Sequence, residues 1–108
     1  MSGSGGGSSG GGGPDYSSPC EALRFDSQLS SPQSPVVSTL NVGDVLLIVV
    51  AQMNGHVVIQ VLSNGQPAGG LTGPDATRLR NCIDQGHTYT ATVLQIVGGQ
   101  VRVRVEHA

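Results

Sequence analysis

From Ala22 to Glu106, apolar positions recur mostly at every second residue, the spacing that lines one face of a β-strand. Leu23, Phe25 and Leu29 alternate with Arg24, Asp26 and Gln28, which predicts a half-buried first strand over Ala22 to Leu29. Ser31 to Pro35 carries two prolines and reads as a turn. Ser34-Pro35 then supplies a cap and a first-position proline. One helical turn is expected over Val36 to Leu40, ending at Asn41-Val42-Gly43. Val45 to Ala51 is an unbroken apolar run rich in valine and isoleucine, as expected of a central strand covered on both faces. Asn54-Gly55 and Asn64-Gly65 are hairpin signals, because both central turn positions take positive φ. They divide Val45 to Ala51, His56 to Leu62 and Gln66 to Leu71 into a three-strand meander. Gly69-Gly70 inside the third strand predicts a bulge or a close backbone approach.

The period then changes. Thr72-Gly73-Pro74-Asp75 has the signature of a helix start: a cap at Thr72 or Gly73, a first-position proline, and an acid at the positive end of the dipole. Ala76, Leu79, Cys82 and Ile83 share one helical face, with Arg78 and Asn81 outward and Arg80 and Asp84 on the flanks. Gly86 is the expected left-handed stop. Thr88 to Val97 returns to period two, with Tyr89, Ala91 and Val93 set against Thr88, Thr90 and Thr92. After a Gly98-Gly99 turn, Val101, Val103 and Val105 point inward while Arg102, Arg104 and Glu106 point outward. The fold class is therefore mainly β (α+β): a small curved antiparallel sheet or semi-barrel of about six strands, with one capping helix.

Composition bounds the domain count. Residues 1–13 are only Met, Ser and Gly, which offer no apolar surface to bury. They are read as flexible coil, and Asp15 to Pro19 as a linker. The organisation is thus a Gly/Ser-rich tail over residues 1–19 and one small β domain over residues 20–108. The start has neither the basic region nor the apolar run of a secretory leader. No apolar segment approaches the ~20 residues of a membrane span. Cys20 and Cys82 have no second pair of ligands at zinc-site spacing. They are read as small buried side chains, with a bridge as the alternative. A cytoplasmic location with reduced thiols is the expectation.

Val57 to Val61, Gly65 to Leu71, the helix Asp75 to Asp84 and Gly86 to Val93 follow one another as a meander, a short helix and a strand. In this order of turns and strands, Val57 to Val93 resembles the HIRAN domain family. The likeness implies a small β-barrel architecture and binding of single-stranded DNA ends through aromatic and basic groups in a groove. The chain departs from the family pattern where DNA contact is concerned. Gly70-Leu71 stands in place of the usual Gly-Tyr, the Asn-Pro loop is missing near Met53, and there is no lysine. The glycine-rich start is also similar to that of small bacterial proteins.

The net charge is -2, and charged residues make up 11% of the chain, against the usual ~25%. That balance disfavours nucleic acid and an anionic membrane as partners. A local patch remains open: Arg78 and Arg80 on the helix and Arg102 and Arg104 on the last strand are the tentative nucleic-acid-binding residues, with Tyr89 or Phe25 as a stacking surface. The alternative for the strand arginines is a solvated face that blunts an edge. Among the histidines, His56 sits beside a hairpin turn, His87 beyond the helix stop and His107 near the end of the chain, and no two share a helical metal-ligand spacing. Asp44, Asp75 and Asp84 each have a local turn or helix-end role. The glycines before the helix lack the Lys-Ser/Thr of a phosphate loop. No catalytic residue, metal site or cofactor is expected. The chain reads as a non-catalytic binding module, most directly for another protein, with nucleic acid as the alternative partner and the oligomeric state open.

Overall fold

The computed structural model describes residues 19–108. The flexible coil expected over residues 1–13 and the linker expected from Asp15 lie outside the described residues, except for Pro19. A short 3-10 turn, Cys20–Ala22, leads into strand β1, Arg24–Gln28. Helix α1, Ser34–Val37, is a single turn. The meander is β2, Val45–Met53, β3, His56–Ser63, and β4, Gln66–Leu71. Helix α2, Pro74–Asp84, precedes the hairpin of β5, Tyr89–Val97, and β6, Gln100–His107.

The strands form one six-stranded antiparallel sheet in the order β1-β6-β5-β2-β3-β4. Its two edge strands approach each other where an isolated bridge pairs Ser30, just past β1, with Gly70 of β4. Two backbone bonds, of 2.8 and 2.9 Å, make that bridge. The sheet is mainly β with a capping helix and does not close into a barrel. The turns follow their residues: Asn54-Gly55, Asn64-Gly65 and Gly98-Gly99 all have positive φ at both positions, the twist that suits a two-residue hairpin.

Both readings of Gly69-Gly70 hold. The register of β3 against β4 shifts at Val61/Leu62, so that Ala68 is the extra residue of a bulge. A Cβ on Gly69 would lie 3.0 Å from the Leu29 Cβ and from the Ser30 carbonyl oxygen. A side chain at Gly69 would therefore crowd Leu29 and Ser30 where the sheet edges meet, which a glycine avoids.

The core lies between the concave face of the sheet and the two helices. Val101, Val103 and Val105 of β6 are fully buried, with Val61 of β3 and Ala91 of β5. Leu79 at 0% exposure and Cys82 at 5% bring α2 onto them. Val37 and Leu40 cover the other side. Gly73 occupies the cap position of α2, and Gly86 takes the positive φ expected at its stop.

Three expectations need correction. β2 is central in the sheet but is not covered on both faces. Leu46 is 4% exposed, whereas Val45 and Leu47 are 63% and 61% exposed, because both helices lie on the concave side. Ser34 does not cap α1: Gln33 occupies the cap position, Ser34 is already helical, and no side chain caps the turn. On α2, Arg80 is exposed while Arg78, expected outward, is half-buried.

Candidate functional site

Among the described residues, an open groove of about 900 Å³ lies between the two helices and the sheet edge. Pro35 and Val36 of α1 form one wall, and Ala76, Thr77 and Arg80 of α2 another. Val57 to Gln60 of β3 and the glycine backbone of β4 form the floor, and Met53 closes the end beside the β2–β3 turn. The local sequence explains each wall. The prolines at Pro35 and Pro74 start the two short helices, and the glycines of β4 let the Ser30–Ser31 segment run against the sheet edge. Polar groups on the rim are turned to one another. Gln60 Nε2 donates to Met53 Sδ at 3.2 Å, Gln33 Nε2 to the Ser31 carbonyl at 2.9 Å, and Thr77 Oγ1 to the Gly73 carbonyl at 3.4 Å. Arg80 is the one charged residue of the lining, and it faces Asp84 one turn on at 3.8 Å. The lining contains no His, Cys, Asp or Glu. The groove therefore presents mainly apolar side chains and backbone, with serine, threonine and glutamine side chains and Arg80 among them.

The structure does not gather the arginines. Arg102 and Arg104 alternate with the buried valines of β6 and so lie on the convex face of the sheet, while α2 packs on the concave side. On the convex face the charges are paired across strands. Arg104 makes a two-pronged contact with Asp26, its Nε donating to Oδ1 at 2.8 Å and an Nη to Oδ2 at 3.1 Å. Arg24 lies opposite Glu106 at 3.6 Å. The hydrogen bond from Arg104 holds the Asp26 carboxyl below its usual value, and the same bond raises Arg104. Arg102 faces Gln28 on β1 and Gln95 on β5. Tyr89 is 2% exposed, so its ring presents no stacking surface. Phe25 is half-buried against the core.

A second cluster was not visible in the sequence. Cys20 and Cys82 form a disulfide, with their Cα atoms 5.6 Å apart, within the span a disulfide bridges. This corrects the reading of reduced thiols, because the first turn of the described chain folds back onto the last turn of α2. Tyr89 donates its hydroxyl to the Cys20 carbonyl at 2.6 Å. Burial raises its phenol pKa, with Glu21 adding to the shift. His107 sits edge-on to Tyr89, with ring centroids 5.2 Å apart. His87 and His107, read as separate surface or turn residues, meet: His87 Nδ1 lies 3.0 Å from His107 Nε2. His56 stays apart at the β2–β3 turn.

Among the described residues, no three His, Cys, Asp or Glu side chains form a group suited to a metal ion. No helix of the described residues is long and apolar enough to cross a membrane. Searches of family models, curated proteins and solved structures return no match to the chain.

Proposed function

We propose that the protein is a non-catalytic interaction module whose groove takes an extended, apolar segment of a partner protein. The observation that supports this is the groove itself: about 900 Å³ walled by Pro, Val, Met and Ala side chains and glycine backbone, with a single cation at its rim. Binding clefts are concave and mostly apolar, with a few polar groups that fix orientation. Gln66 and the hydroxyls of Ser30, Ser31 and Thr72 on the lining supply such groups. The alternative, a binder of single-stranded nucleic acid, draws on the HIRAN likeness and the arginines. It has less support from the geometry, because the arginines lie on opposite faces and Tyr89 is buried. For location, we propose an oxidising compartment rather than the cytoplasm. The cytoplasmic expectation rested on a start without leader features and carried reduced thiols with it, whereas the bridge favours a setting in which it persists.

The test is selection from a random peptide library against the folded chain, followed by Val57→Glu. Val57 lines the groove and is 38% exposed, so the substitution charges the wall without opening the core. Apolar peptides should be recovered, and Val57→Glu should weaken their binding tenfold or more. Peptide binding unaffected by Val57→Glu would place the interaction elsewhere. Failure to select any peptide, together with binding of short single-stranded DNA at ~50 mM salt, would favour the alternative, since the electrostatic contribution is strongest at low salt.

A further inference from the structure

The His87–His107 pair lies outside the groove and has features of a half-built metal site. His107 Nδ1 is 2.9 Å from a main-chain oxygen of Ala108. That oxygen accepts, so Nδ1 carries the proton and, in the neutral ring, Nε2 presents its lone pair toward His87. Metal-binding histidines are oriented in this way, with the far ring nitrogen donating to a carbonyl or carboxylate. The His107 ring is further held by its edge-on contact with Tyr89, whose own hydroxyl is fixed on Cys20 beside the disulfide. His87 is positioned by its backbone, where its N–H donates to the Cys82 carbonyl at 3.1 Å. The disulfide thus anchors the chain on both sides of the pair.

The 3.0 Å separation is that of a ring-to-ring hydrogen bond, so both nitrogens come within reach of one ion once that bond opens. The imidazole donors, rather than the spacing, narrow the choice of metal. Tetragonal nitrogen coordination suits copper(II) and nickel(II), and copper(II) binds most tightly of the first-row divalent ions. We propose that His87 and His107 form a two-histidine site for copper(II), with the other coordination positions left to water. Binding replaces the proton shared between the rings. His87 moves its ring proton from Nδ1 to Nε2, and each ring pivots so that its free nitrogen faces the ion instead of the other nitrogen. No electron changes hands, and no co-reactant is needed.

The test is a copper(II) titration of the full chain, followed by electron paramagnetic resonance and calorimetry. The α-amino group is a competing ligand. The chain has no lysine, so acetylation with an amine-selective reagent removes that ligand without modifying a side-chain amine. The acetylated protein should bind one equivalent of copper(II), with hyperfine structure from two imidazole nitrogens. His87→Ala and His107→Ala should each weaken binding about tenfold or more and remove one nitrogen from the spectrum. His56→Ala should leave both unchanged. Circular dichroism of each variant establishes that it is folded. Should either variant unfold, His107→Gln, which keeps a polar side chain of moderate size, replaces it in the comparison. Equal binding by wild type and both site variants would overturn the proposal, as would loss of binding on His56→Ala or a spectrum with a single nitrogen.

Discussion

Tyr89 joins more of the molecule than any other side chain of the second cluster. Its ring is buried in the core beside Ala91 and Val93, its hydroxyl reaches the Cys20 carbonyl, and its edge meets His107. Tyr89→Phe keeps the packing and removes only the donor. It should cost about 0.5–1.5 kcal/mol, the net value of a protein hydrogen bond, read as a fall in denaturation midpoint with an unchanged slope. The raised phenol pKa gives a second readout. The folded state holds the proton more tightly than the unfolded one, so the contribution is complete below the ordinary phenol value. As pH rises beyond that value, the unfolded chain ionises first and stability falls. Wild type should therefore lose stability in alkali faster than Tyr89→Phe. Parallel profiles would show that the hydroxyl is not held as described. The inward direction of Tyr89 was legible from its alternation with Thr88 and Thr90. Its partners were not, because Cys20 lies 69 residues away along the chain and nothing local encodes that contact.

At the level of elements, the turn residues and the helix punctuation carried most of the information. Asn-Gly and Gly-Gly pairs fixed where hairpins reverse, and Pro74 and Gly86 bracketed α2, because few other residues tolerate those backbone conformations. Bulges were harder to read: Gly69-Gly70 signalled the one at Ala68, and the one in β5 left a trace of another kind. Val93 and Ile96 both contribute to the core, although they are three apart, and strict alternation cannot place both on one face. The register shift between Val93 and Gln95 resolves the conflict, since an extra residue reverses the parity of all that follows. That shift also sets Tyr89 opposite His107. A continuous apolar run misled for a related reason. It shows that either face of β2 can be buried, while only the placement of the helices decides which one is. Paired substitutions measure this directly. Leu46→Ala should cost about 2–5 kcal/mol, as a core truncation does, and Leu47→Ala under about 1 kcal/mol, since Leu47 is 61% exposed. Equal costs in chemical denaturation would mean that the convex face is covered in solution.

For the molecule as a whole, three contacts close over long sequence distances: Ser30 on Gly70, which borders the groove, and Cys20 on Cys82 and His87 on His107, which hold the second cluster. Composition and periodicity report on neighbours along the chain, so the sheet could be read from the sequence while the partners in these closures were not fixed: Gly69-Gly70 signalled a close approach without naming Ser30, the Cys20–Cys82 bridge stood only as an alternative, and the histidines were read apart. The placement of the arginines was out of reach for the same reason. Whether two surface elements share a face is a property of the assembled sheet, and the alternation of β6 sends Arg102 and Arg104 away from α2. Of the three closures, the covalent one has the most distinctive energetic signature. The bridge joins residues 62 apart, and a loop of that size removes conformational entropy chiefly from the unfolded chain. Replacing both cysteines with alanine should therefore lower stability by about 2–5 kcal/mol, a large share of the ~5–15 kcal/mol typical of a domain. The denaturant slope should rise at the same time, because an unbridged unfolded chain exposes more surface. If the bridge acted instead by straining or bracing the folded state, the midpoint would move while the slope stayed fixed. Equilibrium denaturation of the oxidised protein beside the double alanine variant distinguishes these outcomes. A slope unchanged within error would transfer the effect from the unfolded chain to the contacts around Tyr89.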